Sequence, residues 1–357
     1  MIKYFLFFLF SLLVLFSPQQ AKNPLPPQII TEAVTNDADD PALWIHPKDK
    51  AQSLIMGTNK VKAPEGALYV FGLDGKVRQK IEGIDRPNNV DVGYGLLVGG
   101  KKRDFVVLTE RLQHRLRVFT IDPNSGILTD VSAKESLRVM EGEAGERQEP
   151  MGIALYKRPK EGAIFAIVAP KTGGTTRYLW QYRLEEREGG KVGATLVRRF
   201  GNYSGTTEIE AVAVDAELGY VYYADEGKGI RKYYADPDAP QADKELALFG
   251  TEGFKGDREG IGIYKQPNGK GYIVCTDQLE GQSAYHLFLR EGESGNPHNH
   301  SRSLGVMEGG ADTTDGLEVN STPLPGFPNG AVIAMNSGGK NFYLYAWKPF
   351  FAARSFR

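Results

Sequence analysis

The sequence predicts an all-β fold, a six-bladed β-propeller, on three observations. A pattern of three short strands recurs six times, its starts fall 49 to 61 residues apart, and the 357 residues include 42 glycines and 17 tyrosines, a supply suited to turns and strands. Repeats of that length with three or four strands each mark propeller blades, whose faces are covered only when neighbours stack against them. Six such blades occupy residues 28–350 as a single domain.

The first strand of each repeat starts just after a marker position: Asp40 before PALWIHP, Asn89 before VDVGYG, Pro150 before MGIALYKRP, Glu210 before AVAVDAE, Glu259 before GIGIYKQP and Asp315 before GLEVNSTP. The second strand is a β-branched or aromatic run that ends in a polar residue or a turn: SLIMGTN, DFVVLTE, AIFAIVAP, YVYYADE, GYIVCTD and AVIAMNS. The third alternates apolar and polar residues with period two: LYVFGL, LRVFTI, LWQYRL, IRKYYA, YHLFLR and FYLYAW. A turn and a fourth strand follow the first two copies, as at Leu73-Asp74-Gly75-Lys76-Val77, where Asp-Gly marks a hairpin. The extended stretch Gln28–Val34 is expected to supply an outer strand to the last blade and so close the ring. Residues 134–149 and 290–301 carry no strand pattern and read as connecting loops, and no long helix is expected.

Composition narrows the setting. With 43 basic and 44 acidic residues, the net charge of −1 gives no global field that would draw the chain onto nucleic acid or anionic lipid. The N-terminus reads Lys3, an apolar run from Tyr4 to Phe16, then Ser17-Pro18-Gln19-Gln20-Ala21, the three regions of a signal peptide over residues 1–21. That run is shorter than the ~20 apolar residues that span a bilayer. The expected location is therefore secreted or periplasmic, without stable membrane insertion after signal removal. Cys275 is the only cysteine, which excludes a disulfide framework and multi-cysteine metal sites, and its setting reads as an inert core thiol.

In a propeller, the start of each innermost strand lies at the rim of the central channel, so one repeat position becomes a ring around the axis. Here the ring is acidic. Asp40, Glu210, Glu259 and Asp315 occupy it, Asn89 adds an amide oxygen with Asp91 two residues on, and Asp39 and Asp257 lie just upstream. Carboxylates at this density repel one another unless a cation sits among them, and hard oxygen ligands without Cys or His favour calcium. Basic residues follow the second strands on the same face: Lys60, Arg111, Lys171 and Lys228. Around a cation-filled acidic mouth they suggest a site for a small polyanion. His298 and His300, in SGNPHNHS, read as a solvated loop. The chain carries no Arg-His-Gly nucleophile motif and no Gly-rich phosphate loop, and the residue six after Cys275 is Gly281 where a cysteine phosphatase needs arginine.

These motifs resemble the β-propeller phytases, the alkaline, calcium-dependent class. The likeness rests on DADDPALW at Asp37–Trp44, TNK at Thr58–Lys60, NNVD at Asn88–Asp91, Arg111, Lys171, TEIEA with Glu210, ADE with Glu226, DREG at Asp257–Gly260 and DTTDG at Asp312–Gly316. It implies that Asp39, Asp40, Glu210, Glu226, Asp257, Glu259 and Asp315 hold several calcium ions, with Asn89 and Asp91 nearby, and that Lys60, Arg111 and Lys171 grip phosphates of an inositol phosphate. It further implies attack by metal-activated water, no covalent phosphoenzyme, and an adjacent, non-cleaving site for a neighbouring phosphate; the expected working species is a monomer. The chain departs from the family's pattern at Val61, Met151 and Thr172, positions that bear on the adjacent phosphate site. Two other readings compete. A calcium-dependent lactonase of six blades needs one metal and has no use for the three cations, and a non-catalytic exported binding propeller needs no turnover at all.

Overall fold

Strands such as Leu54–Asn59 and Ile164–Pro170 are buried along their whole length, with apolar side chains on both faces, so each face needs its own partner. A computed structural model, which describes residues 24–354, shows how the chain supplies them; the expected signal peptide at 1–21 lies outside the described residues. Six four-stranded antiparallel sheets form, five of them from four strands consecutive in the chain and the sixth from three consecutive strands and the N-terminal strand, each strand pairing with the next outward from the channel. The first strands, Ala38–Trp44, Pro87–Val98, Pro150–Lys157, Val212–Asp215, Ile261–Lys265 and Leu317–Asn320, surround the central channel.

Every apolar cluster joins two consecutive blades. Alternate residues of one strand serve different neighbours: Ile55 packs towards blade six with Phe342 and Leu344, whereas Met56 packs towards blade two with Val106 and Phe119. Cys275 lies in the interface of blades four and five beside Ile230 and Phe249, and burial pushes its thiol pKa up, in line with an inert core thiol. The outermost strand of blade one, Val77–Glu82, alternates half-buried and exposed residues because only one of its faces is covered.

Ring closure follows the expected route. Ile29 and Ile30 pair with Leu344 and Tyr343, adding an outer strand to blade six. Backbone bonds from Gln28 to Leu344 and from Val34 to Lys340 extend the join on both sides. The Asp74-Gly75 hairpin is also present, with Gly75 at φ 78°, a left-handed conformation that glycine adopts without strain.

Three features differ from the sequence expectation. Blades three, four and five also carry a fourth strand, Lys191–Asn202, Ala247–Phe249 and Val306–Glu308. Next, the first strands of blades one and two begin two residues before the marker and that of blade three at its marker, Pro150, with a bulge in the register between Ala38 and Pro41, between Pro87 and Val90, and between Pro150 and Ile153. Such a bulge re-aims the side chains it carries, here Asp39, Asp40, Asn88 and Asn89. Finally, His300 is not part of a solvated loop. It is 1% exposed, with Nδ1 at 2.7 Å from the Leu289 carbonyl and its ring tilted against Phe249 at 4.7 Å, because the 290–301 connection folds back over blade four.

One device recurs in five blades. The last residue of the second strand is polar, and its side chain accepts backbone N–H groups from the loop that leads to the same blade's first strand. Asn59 Oδ1 takes Asn36 and Asp37, Glu110 Oε1 takes Asp85, and Asp225 Oδ2 takes Ser204. In the last two blades, Asp277 Oδ1 takes Lys255 and Gly256, and Asn336 Oδ1 takes Asp312. Blade three has Pro170 at this position, and its carbonyl accepts the Tyr178 hydroxyl instead. These approach loops deliver the residues of the channel mouth.

Candidate active site at the channel mouth

A cavity of about 370 Å³ runs along the axis and is lined by residues of all six inner strands and of the segments that lead into them, among them Asp40, Asn89, Asp91, Glu210, Glu259 and Glu318. The convergence requires close approach of neighbouring blades. At Gly316 a Cβ would stand 2.2 Å from Asp40 Oδ1 and 2.7 Å from Pro41 Cδ, so only glycine lets the start of blade six lie against Asp40.

Lys60 enters a nest of carboxylates. Its Nζ contacts Asp39 Oδ1 and lies 3.5 Å from Asp315 Oδ2 and 3.9 Å from Glu210 Oε2, joining residues of blades one, four and six. The fully buried Asn88 side chain donates to Glu210 Oε2 at 3.1 Å and to Asn89 Oδ1 at 2.9 Å. Gln278 donates to Asp315 Oδ1, and its backbone N–H bonds Asp257 O at 2.9 Å. Beside this nest, Glu226, Asp257 and Glu259 offer one carboxylate oxygen each, all within 4.8 Å of one another.

Position in the repeat accounts for this second set. The residue just after the second strand is Lys60 in blade one, Arg111 in blade two, Lys171 in blade three, Glu226 in blade four and Gln278 in blade five. They form an upper ring above the strand-start ring. Lys228 is two residues out of phase and is exposed.

The remaining cations stand at the same rim but are held by carboxylates. Arg111 Nε donates to Glu149 Oε2 at 2.7 Å, and Lys171 Nζ lies 3.2 Å from Glu146 Oε1 and 3.5 Å from Glu208 Oε1. Met151 is fully buried, and its carbonyl accepts the Thr109 hydroxyl at 2.9 Å.

Asp91 is placed apart from the mouth. Its Oδ1 accepts Val92 N–H at 2.6 Å, and its Oδ2 accepts Leu155 N–H at 2.7 Å, which ties blade two to blade three deep in the channel. Asp40 Oδ2 similarly accepts Val90 N–H at 2.8 Å. Glu318, which the sequence reading did not single out, faces Asp91 and Asp40 along the channel.

The electrostatics are those of crowded anions short of positive charge. Burial, reinforced by Asp91 and Glu210, pushes the Asp40 carboxyl up to about 8. Burial pushes Asp91 to about 6 and, with Glu210, Asp257 and Glu208 adding repulsion, Glu226 to about 8. Asp39 and Glu259 are driven well above the usual carboxylate range, first by burial and then by neighbouring acids. Among the described residues, the buried oxygens Asp39 Oδ2, Asn88 Oδ1 and Glu226 Oε1 find no hydrogen-bond donor. A buried acceptor left without a donor costs about 1–3 kcal/mol, and a hard cation relieves both that cost and the repulsion. The donor set is carboxylate and amide oxygen without sulfur or imidazole. These residues fit calcium better than zinc.

Comparison with known proteins gives consistent results. The family model described as Phytase matches residues 20–342. A 3-phytase of Bacillus subtilis (strain 168) is 29% identical over 325 residues, which cover 87% of this chain and 79% of that protein. Among solved structures, the β-propeller domain of Myceliophteria thermophila Cps50 (Swd1) matches at a TM-score of 0.47 and 9% identity, over 87% of this chain and 83% of that one. A chain from the structure of BBS1N in complex with ARL6DN, soaked with lead, matches at a TM-score of 0.45 and 8% identity, over 87% of this chain and 78% of that one.

Proposed function

The chain belongs to the phytase family, and from that membership we propose that it is a calcium-dependent phytase of the 3-phytase type, releasing phosphate from myo-inositol hexakisphosphate and related inositol phosphates. Phytases are phosphoric monoester hydrolases. The observation that carries the calcium reading is the meeting, at one channel mouth, of carboxylates from blades one, four, five and six with cations from blades one, two and three.

Glu226, Asp257 and Glu259 would hold one calcium ion; Asp39, Asp40, Glu210 and Asp315 would hold others, with Asn89 and Asp91 further along the channel. Bound calcium supplies Lewis acidity, which acidifies water and screens the charge of the phosphate and of the leaving oxygen. The chain's own part is to bind and orient the substrate. Arg111, engaged by Glu149 through Nε alone, keeps its two terminal nitrogens for phosphate oxygens, in the fork geometry that suits them. Lys171 is released to phosphate when its partners Glu146 and Glu208 give way, a low cost because Glu146 is exposed and such pairs are weak in water. Asp39, Glu210 and Asp315 outweigh burial and raise the Lys60 ammonium above the usual lysine range in the calcium-free protein, so Lys60 offers a cation to a polyanion there.

The signal-like segment 1–21 supports export to the periplasm or the medium, and no helix among the described residues is long and apolar enough to cross a membrane. We read the working species as a monomer whose partner is a small polyanion rather than nucleic acid. The test is phosphate release from phytate with calcium and with excess chelator. Chelation should abolish turnover, and Glu259→Ala or Asp315→Ala should lower it by about a hundredfold or more. Full turnover in excess chelator would refute the calcium mechanism.

A further inference from the structure

Arg258 stands between Asp257 and Glu259 in the chain, is 7% exposed, and yet makes no ion pair with either. Its donors go to carbonyls. Nε and Nη2 donate to Gly250 O at 3.0 and 2.8 Å, and Nη1 donates to the backbone oxygen of Glu226 at 2.6 Å. The guanidinium lies 4.2 Å over the Phe254 ring, and Phe254 stacks on His286 at 3.8 Å. His286 Nε2 is 3.3 Å from Asp277 Oδ2, and Asp277 in turn takes the N–H groups of Lys255 and Gly256.

A buried arginine flanked by carboxylates would be expected to pair with one of them if charge compensation were its task. Spending three donors on two carbonyls instead fixes chain geometry. One of those carbonyls belongs to Glu226, and the arginine's own neighbours are Asp257 and Glu259, so a single side chain links both segments of the carboxylate trio. The trio comes from two neighbouring blades, Glu226 from blade four and Asp257 and Glu259 from the approach to blade five. We infer that Arg258 is a positioning residue for the cation site, setting the separation of Glu226 from Asp257 and Glu259 through the Glu226 carbonyl. This rests on the reading of that trio as calcium ligands.

The test is calcium binding by chelator-stripped protein, measured by isothermal titration calorimetry, with melting temperatures recorded with and without calcium. Arg258→Lys keeps the charge but cannot span both carbonyls. It should bind calcium about tenfold or more weakly, in the range by which groups that orient metal ligands act, and its calcium-loaded melting temperature should fall further than its calcium-free one. Parent-like affinity overturns the inference. So does a calcium-free melting temperature that falls as far as the calcium-loaded one, because that pattern marks a blade staple with no bearing on the cation. If Arg258→Lys does not fold, Phe254→Leu, which removes the ring beneath an intact arginine, decides by the same two readings. Glu226→Gln separates the premises: unchanged calcium binding there removes the trio as a calcium site. Lost binding in Glu226→Gln beside parent affinity in Arg258→Lys removes only the role of Arg258.

Discussion

Lys60 answers at the channel mouth to three acids at once: desolvation acts to lower its pKa, and Asp39, Glu210 and Asp315 together lift it well above the usual lysine value. One ammonium does not balance the whole set, and the surplus is carried as protons. Asp40 and Glu226, each pushed up to about 8 by burial, hold theirs in the folded, calcium-free protein and lose them in the unfolded chain near pH 4. Their contribution to calcium-free stability is therefore full below about pH 4 and is lost as pH rises towards about 8. Calcium must expel the same protons, so its affinity should rise over that span and level off above about pH 8. Calorimetry at pH 7 in two buffers of different ionisation heat should show proton release, and a binding heat independent of buffer would contradict this. The acids of the strand-start ring were legible in the sequence because one repeat position carried them in phase. Gln278 was hidden because its neutral side chain broke the pattern of cations after the second strand, and Glu318 because an acid facing a channel looks like any acid facing solvent. Arg258 left no signal, since its partners are backbone carbonyls.

A strand-end polar side chain anchors the approach loop in five blades, and this device turns a strand into a platform for loop residues. Buried N–H groups at the loops need acceptors, and the side chain at the end of the second strand is the nearest element that can supply one. Asn336 shows the cost. Its Oδ1 accepts, at 2.9 Å, the N–H of Asp312 on the loop that leads to Asp315, and its Nδ2 donates to Asn341 Oδ1 at 2.8 Å. Asn336→Ala should lose about 1–3 kcal/mol in urea unfolding. A change below a few tenths would show that the loop does not depend on this bond. The polar strand ends were visible as a sequence pattern, although their function was not. The bulges at Ala38–Pro41 and Pro87–Val90 were not visible, because an extra residue in one strand leaves the alternation of the rest intact.

Six interfaces between consecutive blades hold the whole ring, and the one between blades six and one is closed by a segment remote in sequence. There Thr31 N–H donates to Phe342 O at 3.0 Å, and Phe342 N–H donates to Thr31 Oγ1 at 3.0 Å. Thr31→Pro removes both bonds and should cost about 2–4 kcal/mol, seen as a lowered melting temperature; an unchanged one would show that closure does not depend on this strand. Blade number and closure were legible because repeat length and a spare extended segment sufficed for them. The pairing of cations with acids at the mouth was not, since it depends on how far each blade is rotated against the next. The most direct test of shared cation binding by separate blades is anomalous diffraction from calcium-soaked crystals. A calcium peak bounded by Glu226, Asp257 and Glu259 is expected, with further peaks among Asp39, Asp40, Glu210 and Asp315. No ordered ion at either place in saturating calcium would contradict it.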